Sequence, residues 1–202
     1  MKTIKTLAIC IIATVTLSVQ SSTIFGQATD TESITLTANL NTTMALTLDA
    51  TEVIFTFDDL SEYQSGIGAN DEISLTGDVA STSDWKLEFK ATTDLQHQTH
   101  SGSTIPLNQV GLRADLIGNY STGNKIDNQA NNTPIALSSS DKTIFDKGNG
   151  NTNAGTSADN EFELFWEMGT QNGNMLNKSL WEQNYRRGEY QATVLFTLTE
   201  VI

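Results

Sequence analysis

Cysteine is all but missing from this 202-residue chain. The single one, Cys10, sits in an apolar stretch near the start, so disulfides, thiolate catalysis and Cys-based zinc sites are excluded from everything that follows it. Basic side chains are scarce too, with Lys+Arg 11 against Asp+Glu 24 and a net charge of −13. That balance opposes nucleic acid and anionic lipid, whose phosphates need cationic partners. Glycine is scattered and no Gly-rich phosphate loop follows a strand, which excludes nucleotide enzymes built on βαβ units. No apolar run is long enough to span a bilayer comfortably.

What is present begins with an export pattern. Lys2 and Lys5 precede an apolar stretch from Leu7 to Val19, and small or polar residues lead to Gly26-Gln27-Ala28. This is the layout of a signal peptide over residues 1–28, with Cys10 as one of its core residues and a single domain over 29–202. Without Lys2 and Lys5 the remaining chain has nine basic against 24 acidic residues, a net −15. An exported, well-solvated surface fits that number.

From Thr31 onward the dominant signal is strict alternation of apolar and polar residues, the period of half-buried β-strands. It predicts strands at Ile34–Leu40, Met44–Leu48, Val53–Phe57, Ile73–Val79, Trp85–Ala91, Val110–Leu116, Glu161–Met168 and Tyr190–Leu198. The stretch GEYQATVLFTLTEVI closes the series and needs a sheet ready to receive it. Asp58 to Asp71, Thr92 to Ser103 and the Asn/Gly-rich Gly118 to Gly155 are predicted as loops. Asn177 to Gly188 is the one predicted helix, with Ser179 and Glu182 as a capping box and Gly188 as C-cap. The expected fold is all-β: a two-sheet antiparallel sandwich, Ig-like or Greek key, of about eight strands with long loops.

Chemistry-bearing residues are few. His97 and His100 lack an evident third ligand, and no serine elbow accompanies them. Glu161, Glu163 and Glu167, spaced by two on one strand, mark its solvent face rather than a catalytic pair. Asp146 and Asp159 flank a run of amide and carboxylate oxygens, but glycines stand where a calcium loop needs ligands. No metal, cofactor or catalytic residue is therefore assigned. Tyr63, Tyr120, Trp181 and Tyr185 are the aromatics available to stack on a sugar or contact a partner, Trp181 and Tyr185 beside Arg186 and Arg187. Trp85, Leu87, Trp166, Tyr190, Phe196 and Leu198 are the predicted inward set.

Trp85-Lys86-Leu87 and the closing Gly188 to Ile202 resemble the WxL domain of bacterial cell-surface proteins. That domain has a Trp-x-Leu motif in mid-domain and a second in a closing strand that starts Gly-x-Tyr. Here the second motif reads Phe196-Thr197-Leu198, with phenylalanine in place of tryptophan. The resemblance implies a β-rich module held noncovalently to the cell wall, and the change at Phe196 bears on that attachment more than on the fold. Fimbrial and spore-coat subunits share the same exported, Gly-x-Tyr-ending look.

Together these readings give a secreted, noncatalytic surface or extracellular protein, structural or adhesive. Its expected partners are an envelope polymer or other surface proteins, with self-assembly by strand exchange through Ile34 to Leu40 as a specific form. A carbohydrate-binding module using the exposed aromatics is the alternative, and neither nucleic acid nor a membrane span enters.

Overall fold

The computed structural model describes residues 35–118, 124–126, 133–148 and 152–202, with the backbone alone at 124–126. The predicted signal peptide, Ile34 and Tyr120 lie outside them. The chain divides into an N-terminal unit ending at Asn39 and a second unit from Leu40 to Ile202. In the first, residues 35–39 form no strand and are exposed.

The second unit is all-β and sandwich-like. Twelve strands are present among the described residues: β1 (Met44–Leu48), β2 (Ser74–Ser81), β3 (Trp85–Ala91), β4 (Leu95–His97), β5 (Thr104–Ile105), β6 (Val110–Leu116), β7 (Asn124–Ile126), β8 (Ile135–Ala136), β9 (Lys142–Lys147), β10 (Glu161–Met168), β11 (Tyr190–Gln191) and β12 (Val194–Glu200). They form one sheet of order β1-β2-β10-β6-β8, a second of order β12-β3-β9-β7 and a small third of order β11-β4-β5. Every pairing is antiparallel.

Alternation puts the apolar faces of the two large sheets against each other. Phe145 of β9 meets Phe162 of β10 with ring centroids 5.0 Å apart, and Trp166 of β10 meets Phe196 of β12 edge-on at 6.3 Å. Trp85, Leu87, Phe162 and Leu164 are fully enclosed. The two motif stretches pair directly, Leu198 opposite Leu87 and Phe196 opposite Phe89, whose rings stack at 6.2 Å. β2, β3, β6 and β10 occupy the predicted stretches within a few residues.

Several expectations are corrected. Residues 35–40 are not a strand; every side chain there is exposed, and β1 begins only at Met44. Val53, Phe55 and Phe57 keep the in-out alternation and pack on the core, yet no sheet takes up their backbone. Asp58 to Asp71 contains a real helix, α1 (Leu60–Ser65), because Asp59 and Glu62 complete a capping box. The predicted helix at 177–188 shrinks to a single 3₁₀ turn, Trp181–Gln183: Ser179 and Glu182 do cap each other, but Asn184 at φ 50° ends the turn well before Gly188.

Two predicted loops also carry strands. The 92–103 stretch holds β4, and the short apolar islands at 135–137 and 144–145 pair as β8 and β9 and enter the core. Length hid β4 and β8, since two or three paired residues leave no periodic signal, and in β9 the adjacent Ile144 and Phe145 break the alternation. Glu167 does not face water; it is buried, accepting from Thr170 Oγ1 at 2.6 Å and Asn172 Nδ2 at 2.7 Å. On the same outer face Phe165 is covered by the Arg113 guanidinium, 4.1 Å above its ring and paired to Asp71 and Asp115. Finally, the closing stretch is broken: Tyr190 and Gln191 belong to the small sheet, and only from Val194 does the chain join β3.

Candidate functional site

β1 is the edge of one large sheet and β12 the edge of the other. Between them the sandwich stays open along a groove enclosing about 1970 Å³. Its floor is apolar, built by Leu75 of β2, Val110 of β6 and Trp166 and Met168 of β10. Leu46 and Leu48 of β1 form one side, and Val194 and Phe196 of β12 another. The unpaired stretch 50–57 contributes Val53, Phe55 and Phe57. All of these side residues are only half-buried, in contrast to the enclosed core behind them.

The unpaired stretch has a physical cause. Asp49 binds back onto β2, its backbone N–H donating to the Thr76 carbonyl at 3.0 Å while its carboxylate accepts from Thr76 N and Oγ1. The chain then leaves β1 for α1, and Phe57 packs against Tyr63 at 5.2 Å. Among the described residues no backbone-to-backbone hydrogen bond reaches 50–57. Among the described residues it is held by the burial of its side chains.

The rim carries the polar chemistry. Tyr63, Trp181 and Tyr185 all line the groove, together with Arg186, Arg187, Asp58 and Asp59. The structure thus brings together three of the four aromatics singled out in the sequence; Tyr120 lies outside the described residues. Trp181 is the most open of them, 58% exposed. Burial pushes the Tyr185 hydroxyl above its ordinary pKa, and its O–H donates to Gln183 Oε1.

Tyr190 fixes the end of the groove. Its hydroxyl donates to the Arg186 carbonyl at 2.9 Å and shares a 2.9 Å bond with Ser103 Oγ. Its ring packs edge-on to His97 at 4.9 Å, and His97 packs likewise on His100 at 4.8 Å. His97 Nε2 lies 2.9 Å from the Arg187 carbonyl, which can only accept, so Nε2 carries the proton and Nδ1 receives the Thr99 backbone N–H at 3.2 Å. Both ring nitrogens are thereby committed. Desolvation, then Arg186 and His97, hold the pKa of His100 below its ordinary value. Gly188 at φ 135° permits this packing, since a Cβ there would fall 2.4 Å from His97 Nε2.

Among the described residues no group of three or more His, Cys, Asp or Glu is placed to hold a metal ion. Asp159 is taken up in a capping box with Thr156, and Asp146 accepts from the backbone N–H of Lys147 at 2.7 Å. No helix among the described residues is long and apolar enough to cross a membrane.

Sequence reading missed the residue that anchors the first motif. Asn153, 1% exposed, accepts the Trp85 backbone N–H through Oδ1 at 2.9 Å and donates through Nδ2 to the Trp85 carbonyl at 2.8 Å. Its own carbonyl takes the Trp85 indole N–H at 2.9 Å. Asp84 completes the cluster with Lys147, Thr152 Oγ1 and the Asn153 N–H, which hold its carboxyl down to about 2. Trp85 is therefore a core pin and offers no surface to a ligand. One asparagine in an asparagine-rich stretch gives no signal by itself.

Compared with models of known protein families and with curated proteins, the sequence matches none. What the residues define is the class: an all-β, sandwich-like protein with an open apolar groove between its edge strands.

Proposed function

We propose that this protein is a secreted, noncatalytic component of a bacterial surface or extracellular assembly, structural or adhesive, resembling a WxL module in design. The observation that carries this reading is the groove itself: apolar side chains left half-covered between two strands that are sheet edges among the described residues. Such a surface is suited to binding another chain along its length. Docking is the use that the half-covered groove supports, and both ring nitrogens of His97 beside it are taken up by internal hydrogen bonds.

Fractionation of the producing cell tests the reading. Recovery of the protein with wall or filament material supports it, and recovery only inside the cell overturns it. If the WxL likeness extends to function, binding to isolated wall polymer survives Trp85→Phe, because that side chain faces the core.

The rim favours one other reading. Exposed Trp181, with Tyr63, Tyr185 and two arginines around the same opening, has the composition of a sugar platform. Polysaccharide binding lost on Trp181→Ala identifies that use; no binding across a glycan panel removes it.

A further inference from the structure

We propose that the groove is the acceptor for an extended strand from a second copy of the chain, and that the strand it takes is 35–40. This names the partner of an assembly component and so rests on the functional reading above.

The groove offers unused backbone on two sides. Among the described residues β12 pairs only with β3, and the stretch 50–57 has its side chains packed while no backbone hydrogen bond reaches its amides and carbonyls. A strand lying along them gains main-chain bonds from both, while its inward side chains cover Phe55, Val194 and Phe196. β12 has seven residues, about 23 Å of extended chain.

Residues 35–40, Thr-Leu-Thr-Ala-Asn-Leu, match that need in pattern and length. Leu36, Ala38 and Leu40 fall on one side of an extended chain, and six residues span about 20 Å. Leu36 is 92% and Leu40 96% exposed. The segment carries no charge, which suits it to an apolar groove in a molecule of net −13.

Direction selects a second copy over the chain's own segment. Thr42 Oγ1 donates to Glu200 Oε1 at 3.0 Å, and Thr43 exchanges bonds with Thr82, which fixes the exit of this segment at the Glu200 end of β12. Folded back along its own groove, 35–40 would therefore run parallel to β12. Every pairing among the described residues is antiparallel. A segment from another molecule is free to enter in the antiparallel sense, where the ladder is the more stable.

Light scattering on the intact chain, from low to high micromolar, tests this. The wild type is expected to associate with concentration. The L36E/L40E variant, altered only at exposed positions, is expected to lose about 100-fold or more in self-affinity while its circular dichroism is unchanged. A Val53→Arg variant keeps the donor segment and blocks the groove; mixed with L36E/L40E, it is expected to give a 1:1 heterodimer although each alone is monomeric. Should Val53→Arg fail to fold, a synthetic peptide of residues 33–41 serves instead and is expected to dissociate wild-type assemblies. Wild type that stays monomeric throughout overturns the proposal, as does L36E/L40E associating like wild type. A monomer in which Leu36 is protected from solvent shows self-docking and overturns it as well. A monomer found on the cell surface sinks this inference alone, whereas an associating chain confined to the cell interior sinks the functional reading and spares this one.

Discussion

At the scale of single residues, the firmest structure lies where the sequence is least distinctive. Asn153→Ala leaves the Trp85 backbone N–H and carbonyl without the partners that the Asn153 side chain supplies in a fully enclosed site. Each unpaired buried group costs about 1–3 kcal/mol, so a loss of about 3 kcal/mol is expected in urea unfolding. Asp84 beside it ties stability to acidity. Its folded pKa is lowered to about 2 from the ordinary 3.8, and its side chain is 16% exposed, so its contribution of about 2 kcal/mol is complete above pH 4 and disappears as pH falls through 2. Asp84→Asn is accordingly expected to be less stable than wild type by about that amount at pH 7, the gap closing toward pH 2 in parallel denaturation series. Two glycines separate crowding from backbone strain. Gly188 and Gly102 both have positive φ, but a Cβ strikes His97 at the first and meets nothing within 4 Å at the second. Gly188→Ala is expected to cost about 3 kcal/mol and Gly102→Ala about 1, read from thermal unfolding.

At the scale of elements, burial on both sides decides what a strand contributes. β10 lies in the middle of its sheet with Leu164 fully enclosed, whereas β12 is an edge with Leu195 46% exposed. Leu164→Ala is expected to lose about 2–5 kcal/mol and Leu195→Ala less than about 0.5, by chemical denaturation. The same contrast explains how much of the fold could be read in advance. β2, β3, β6 and β10 announce themselves because seven or eight alternating residues give period two room to repeat. β8, with two residues, and β9, whose Ile144 and Phe145 are adjacent rather than alternating, do not. Residues 53–57 show the reverse: the alternation is true of their side chains, yet periodicity reports burial and is silent on who receives the backbone. The aromatics on the groove rim were legible as a set, but that Tyr63 stands with Trp181 and Tyr185 depends on chain crossings no local pattern encodes.

At the scale of the whole molecule, the described residues build an interior that they do not themselves finish covering. Residues 50–57 are sheltered through their side chains while, among the described residues, no ladder takes up their main chain. Amide exchange in deuterated water should therefore divide the molecule unevenly. The amides of β3 and β10 are expected to persist longest, and those of 52–57 to be replaced at rates near an unfolded peptide's despite the half-buried Phe55 and Phe57. Mass spectrometry of peptides sampled over seconds to hours reads the difference directly. Any occupant that completes the ladder would slow exactly those amides, so this short stretch would act as the molecule's own isotopic reporter, marking each copy as capped or waiting.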